Sequence, residues 1–163
     1  MIKGARITII GFGNMGRALA QGFLDNGLRA SRIHAIDPDK KALEAADNLG
    51  IDFSESFKGL THPPSVVLLA VKPQLMPEVL PELKKLAGET TFFLSIAAGV
   101  RIATLQEHLG HEARIVRAMP NTPAAIGCGM TVLCHSGNLA FQQLALAETL
   151  MGCVGACEWL DDE

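Results

Sequence analysis

The chain has 163 residues, 48% of them hydrophobic and 19% charged, with a formal net charge of -3. Those values describe one folded domain, not a disordered chain, and a chain of this length buries roughly two thirds of its unfolded surface without staples. They exclude the basic footprint of a nucleic-acid or anionic-membrane binder, and no apolar run reaches the roughly 18 residues of a membrane span.

Residues 6–10 are a β-branched run ending in glycine and predict a strand. From Met15 the small or apolar positions Met15, Ala18, Leu19, Gly22 and Phe23 form the stripe of a helix packed on one face, stopped by Asn26-Gly27. Residues 33–36 predict a second strand. Asp37-Pro38 reads as an N-cap with proline at the first helical position, opening a helix that ends near Leu49. Between Ile51 and Thr61 the pattern is poor and predicts a short strand and a weak helix. Residues 66–71 are almost continuously apolar, as in a parallel strand covered on both faces. A helix follows Lys72-Pro73, with Val79, Leu80, Leu83 and Leu86 turned inward. Pro77 suits its first turn, whereas Pro81 predicts a kink or a late start. Strands are expected at residues 91–96, 114–118, 130–135 and 155–160, helices at 102–109 and 140–151, and a Pro/Gly/Asn-rich loop at 119–129. Strand–helix alternation predicts an α/β fold with a doubly wound, mostly parallel sheet, a Rossmann-type domain covering residues 1–163.

Gly11-Phe12-Gly13-Asn14-Met15-Gly16 falls directly after a predicted strand and at the start of a helix, where a dinucleotide fingerprint must lie. Gly11 can take the tight turn. Gly13, without a Cβ, lets the backbone approach a pyrophosphate, and Gly16 lets the helix pack on the strand. The unpaired N–H groups of the helix start and the helix dipole both favour that anion. Asp37 ends the second strand, where such sites carry an acid. Its carboxylate can accept from an adenosine ribose 2′-OH and repel a 2′-phosphate, or it can merely cap the next helix. Lys40 and Lys41 soften any bias against NADP. The context favours NADPH or NADH over flavin adenine dinucleotide or S-adenosylmethionine, which other glycine-rich turns bind.

Ligands of open α/β sheets bind beyond the carboxyl ends of the strands. Three further stretches follow strand ends: Ala70-Val71-Lys72-Pro73, Ser95-Ile96-Ala97-Ala98-Gly99-Val100 and Met119-Pro120-Asn121-Thr122-Pro123. Each taken singly is ordinary turn chemistry. Taken with the glycine loop, and with Arg117-Ala118 before the last, they resemble the pyrroline-5-carboxylate reductase family, whose members catalyse the last step of proline synthesis. Met119-Pro120-Asn121-Thr122-Pro123 is the most specific part of the likeness, which runs along the whole chain.

That resemblance implies an NAD(P)H-dependent oxidoreductase in which hydride passes to the C=N carbon of 1-pyrroline-5-carboxylate, giving L-proline. It implies that Gly11, Phe12, Gly13, Asn14, Met15 and Gly16 contact the pyrophosphate. Ala70, Val71, Lys72, Pro73, Ala97, Ala98 and Gly99 would line the cofactor cleft, with Asn121 near the nicotinamide end. No cofactor contact is carried over to Phe57, where some relatives place a polar residue near the adenosine. Family members continue past a segment like Glu158-Trp159-Leu160-Asp161-Asp162 into a helical dimerisation domain that holds the substrate carboxylate. The chain given stops at Glu163, so the expectation is an isolated cofactor domain that binds cofactor without turnover and whose full-length form is a homo-oligomer. A β-hydroxyacid dehydrogenase, a deazaflavin-dependent NADP reductase and a non-catalytic dinucleotide sensor are the competing readings.

The remaining residues carry weaker signals. His108 and His111 share an i, i+3 spacing that Gly110 interrupts, so no metal site is expected. Cys128, Cys134, Cys153 and Cys157 form no Cys-x-x-Cys framework and predict reduced thiols in a cytoplasmic protein, with Cys153 and Cys157 a buried helix-to-strand pair. Lys72 can meet a phosphate or cap a carbonyl. No residue stands out as a general acid, and Asp161-Asp162-Glu163 reads as a solvated terminus.

Overall fold

A computed structural model describes residues 2–60 and 62–161. Strands β1 (Ile7–Ile10), β2 (Ile33–Ile36), β3 (Asp52–Ser54), β4 (Val66–Leu69), β5 (Phe92–Ser95), β6 (Ile115–Pro120), β7 (Gly129–His135) and β8 (Gly155–Trp159) form one sheet. Its order is β3-β2-β1-β4-β5-β6-β7-β8. β1 to β6 run parallel, β7 pairs antiparallel with β6, and β8 runs parallel to β7. The helices are α1 (Asn14–Asp25), α2 (Lys40–Leu49), α3 (Met76–Leu83), α4 (Ile102–Leu109) and α5 (Phe141–Gly152).

The apolar run of β4 has the cause expected of it. Val66 and Leu68 pack with α1, α2 and α5 on one face, through residues such as Leu19, Phe23, Ala46 and Leu150. Val67 and Leu69 pack with α3 and α4 on the other, against Leu80, Leu83 and Leu105. Successive strand side chains alternate faces, so only a sheet covered on both sides buries all four. Each of these side chains is fully buried, which stabilises the fold by about 1.5–3 kcal/mol apiece.

Three expectations about where elements begin and end are corrected. α2 starts at Lys40 and its N-cap is Asp39, whose side chain accepts from the Lys41 N–H, so Asp37 does not cap it. α3 does not start late. A 3₁₀ turn at Pro73–Leu75 leads directly into Met76, and the helix runs through Pro81 before tightening into a second 3₁₀ turn at Lys84–Leu86. The hydrogen bond that Pro81 cannot donate would have gone to the carbonyl of Pro77. Both prolines are exposed, so water can serve that carbonyl. The expected loop 119–129 is partly strand, since β6 continues to Pro120 and pairs it with Thr131 of β7, and residues 122–126 form a 3₁₀ turn.

The poor stretch after Ile51 contains β3 and a 3₁₀ turn at Phe57–Gly59, while Thr61 lies outside the described residues. α4 ends at Leu109, immediately before Gly110. Cys153 caps the end of α5 and Cys157 lies in β8. Both are half-buried, not fully buried as expected. Burial pushes both thiols above their ordinary value; each is raised further by a neighbour, Cys153 by Cys157 and Cys157 by Glu148. Asp161 is exposed, and Asp162 and Glu163 lie outside the described residues.

Candidate functional site

The carboxyl ends of β1, β2 and β4 meet at the glycine loop. β1 ends at Ile10, and Gly11 donates its N–H to the Ile36 carbonyl at 2.9 Å. Its φ of +89° is one that L side chains rarely adopt. An added Cβ would also lie 2.8 Å from the Ala70 carbonyl oxygen and 2.9 Å from a Val71 methyl. Only glycine lets the chain turn between the ends of β2 and β4.

Phe12 is an anchor, its ring buried at 1% exposure in the core between the sheet and α1. Its N–H donates to Asp37 Oδ2 at 2.7 Å. Gly13 then occupies the N-cap position of α1 in an extended conformation, and no side chain caps the helix. No protein atom lies within 4 Å of where a Gly13 Cβ would stand. Gly16, by contrast, sits where a Cβ would strike the Gly11 carbonyl, which pins the helix close to the loop. Arg17 folds back on the helix start, donating to the Gly13 carbonyl at 3.3 Å and to Asn14 Oδ1 at 2.9 Å.

Asp37 joins two loops. One carboxylate oxygen takes the Phe12 N–H and the other takes the Asp39 N–H at 2.8 Å. It thereby ties the glycine loop to the β2–α2 connection.

A cleft of about 400 Å³ opens beside this junction. Of the residues singled out in the sequence, Gly11, Gly13, Asp37, Ala70, Val71 and Lys72 line it. The Lys72 side chain is exposed and has no hydrogen-bond or ion-pair partner among the described residues. Ile10, Ile36 and Pro38 from the same strand ends, and Phe57, Leu75, Glu78 and Val79 from outside them, complete the walls. Sequence reasoning set Phe57 aside and missed the other six as site residues. Val79 carried a signal, since it was expected to face inward, but periodicity does not separate a core wall from a cleft wall.

The other candidates lie on the same rim without lining the cleft. Pro73 opens the 3₁₀ turn before α3. Ala97, Ala98 and Gly99 follow β5, with Ala97 buried and the next two exposed. Asn121 follows β6, and its Oδ1 accepts the Met130 N–H at 2.9 Å. That bond ties the start of β7 to the end of β6 and leaves the amide hydrogens of Asn121 as donors. Asn14 and Met15 stand on the first turn of α1.

A dinucleotide fits these features. Open space stands over Gly13, an uncapped helix start faces outward, and a carboxylate and an ammonium flank the cleft. The two charges suit the two ends of an adenosine diphosphate moiety, ribose hydroxyls and phosphates.

Comparisons with known proteins bear on the fold and the family. The chain is 38% identical over 157 residues to pyrroline-5-carboxylate reductase of Haemophilus influenzae, covering 96% of the chain and 58% of that protein. It is 37% identical over 159 residues to the Pseudomonas aeruginosa enzyme of the same name, covering 97% and 58%. Among solved structures, a pyrroline-5-carboxylate reductase from Coxiella burnetii superposes with a TM-score of 0.93 at 35% identity, over 98% of this chain and 60% of that one. Plasmodium falciparum pyrroline carboxylate reductase with NADP bound gives 0.86 at 26% identity, over 98% and 59%. The resemblance read from the motifs therefore holds, and the chain spans 58% of the length of these curated relatives. Residues 6–99, more than half of the chain and all of the cleft, match the family described as NADP oxidoreductase coenzyme F420-dependent, and the protein belongs to that family.

Proposed function

We propose that the chain is the cofactor-binding part of a reductase that uses NADH or NADPH to convert 1-pyrroline-5-carboxylate into L-proline. The observation that carries this reading is the single cleft in which Gly11, Gly13, Asp37, Ala70, Val71 and Lys72 meet from three separate strand ends. When bound, the nicotinamide supplies the hydride. The chain's own residues bind and orient. The N–H groups at the start of α1 hold the pyrophosphate, with Lys72 adding positive charge. Asp37 takes the ribose hydroxyls. Pro73, Ala97, Ala98 and Gly99 keep the rim beside the cleft low, and the Asn121 amide offers donors at the nicotinamide end. A protonated imine carbon is already electrophilic, so orientation is the main contribution asked of the protein.

In this reading the substrate-holding wall and the homo-oligomer contacts belong to the part of the relatives that the chain does not span. The enzyme works in the cytoplasm; no helix among the described residues is long and apolar enough to cross a membrane. The 163-residue chain binds NADH or NADPH and does not reduce the imine. Calorimetric titration with both nucleotides, followed by an imine-reduction assay, tests both halves. Absence of binding at millimolar nucleotide removes the dinucleotide site, and vigorous turnover removes the need for a second wall.

A deazaflavin-dependent NADP reductase is the second reading, favoured by the family description. The relatives at 34–38% identity over at least nine tenths of the chain weigh toward the imine instead. A substrate panel on the full-length gene product separates the two. Reduction of a deazaflavin but not of the imine would establish the second.

A further inference from the structure

We infer that the chain has a second ligand site, which takes a small phosphate-bearing anion between Arg6 and Arg32 over a floor made by Thr8 and His34. The site lies at the amino ends of β1 and β2, the opposite end of these strands from the glycine loop, and stands independently of the dinucleotide reading.

The floor is a polar row on an otherwise apolar face. Thr8 of β1 stands opposite His34 of β2, and His34 opposite Asp52 of β3. Residues in register share a face. Two positions further along the same strands, Ile10 and Ile36 join the core under α3 and α4. Thr8 is 1% exposed. Its hydroxyl makes no hydrogen bond among the described residues, yet Thr8 lines a pocket of about 370 Å³. A buried hydroxyl without a partner costs stability, and a ligand oxygen in the pocket would supply the missing acceptor. His34 lines the same pocket, with its Nε2 2.8 Å from Ser54 Oγ. In the tautomer in which Ser54 donates to Nε2, Nδ1 carries the ring proton and is a second donor.

The mouth supplies charge. Arg6 immediately precedes β1 and Arg32 immediately precedes β2. Both line the pocket, and neither guanidinium has a hydrogen-bond or ion-pair partner among the described residues. Guanidinium N–H groups fork onto phosphate oxygens, and two of them with a hydroxyl suit a tetrahedral group that offers several acceptors at once. Asp52 is the one acid of the lining among the described residues. It is exposed on the edge strand β3, and the two arginines outweigh it. The pocket is thus locally cationic in a chain whose formal net charge is -3. His62, on the connection into β4, is the remaining titratable group of the lining.

Inorganic phosphate titrated at fixed pH, against sodium chloride of equal ionic strength, tests this through the histidine ring resonances, assigned with His34→Gln and His62→Gln. Phosphate should move the His34 resonance saturably at millimolar concentration and leave His108, His111 and His135 in place. It should also raise the pH at which His34 titrates, because an anion beside the ring favours the imidazolium. Arg6→Gln and Arg32→Gln should each weaken phosphate about tenfold. Thr8→Val should weaken it too while leaving the fold at least as stable, since it removes a buried hydroxyl that the protein does not satisfy. Glycerol phosphate run beside the bare ion distinguishes the sources: tighter binding assigns the site to a phosphate ester, and equal or weaker binding to free phosphate. No saturable movement of His34 up to about 20 mM phosphate overturns the site. So does a movement that both arginine variants retain unchanged, which would trace it to phosphate at the glycine loop.

Discussion

At Gly11–Gly16 and again at Gly129–Gly155, backbone approaches backbone closer than a side chain allows, yet only the first region has space left over. In the glycine loop a Cβ on Gly16 would strike the Gly11 carbonyl, while one on Gly13 would meet nothing. Where β7 and β8 pair, Gly129 stands opposite Gly155, and a Cβ on either would run into protein backbone. The second region is closed packing that anchors the two strands running against the rest of the sheet. In the first, packing and vacancy alternate within a few residues. A motif of three glycines therefore divides into two that shape the backbone and one that leaves room for a ligand.

Gly155→Ala should break the closed region and have the largest effect. Gly155 has φ +147°, and the new methyl would land on the backbone of Gly129, which cannot swing aside as a side chain can. Strain and overpacking together should cost about 3 kcal/mol or more. Urea denaturation of the variant and parent measures it. A midpoint within error of the parent would mean that the β7–β8 pairing is looser than described.

Gly13→Ala should sharpen the contrast by sparing the fold. Its φ of -75° suits alanine, and the methyl has no neighbour within 4 Å. Lower chain entropy in the unfolded state and a slightly poorer N-cap roughly cancel, so stability should move by less than about 1 kcal/mol. NADH affinity should nevertheless fall at least about tenfold, equivalent to about 1.4 kcal/mol. Unaltered affinity with unaltered stability would show that the nucleotide does not approach the chain at Gly13.

The same contrast explains what the sequence disclosed. Glycine spacing after a strand and an acid at the next strand end are local signals, and Gly11, Gly13, Gly16 and Asp37 are readable from them. The choice of helix cap is not. Asp37-Pro38-Asp39 offers two capping acids, and a tertiary bond from Phe12, 25 residues away, draws Asp37 off and leaves the cap to Asp39. The cleft walls Leu75, Glu78 and Val79 lie on or beside α3, where an inward stripe looks the same whether it faces core or cavity. The antiparallel β6–β7 pair hid behind Pro120 and the glycines of the connection, which read as loop. Proline is tolerated there because β5 pairs with β6 only as far as Arg117, so at Pro120 the strand has a neighbour on one side alone.

The rim opposite the cleft gives the smallest expected effect, and it is read through pH. His34 lies on β2 with its Nε2 2.8 Å from Ser54 Oγ. It faces a pocket of about 370 Å³ with Arg6, Arg32, Asp52 and His62. Burial lowers its pKa below the ordinary value, and Asp52 opposes this more weakly. Above about pH 6.5 the ring is neutral in both the folded and the unfolded chain, and it adds no pH dependence. As pH falls through that value the unfolded chain takes up the proton first, so the unfolded state binds more protons and stability declines. The decline levels off once the folded ring is also protonated. His34→Gln removes the titration, so the loss of stability between about pH 6.5 and 5 should be smaller in the variant than in the parent. Urea midpoints of both proteins across that range decide it. Parallel curves would assign the acid sensitivity to other groups and leave His34 a neutral partner of Ser54.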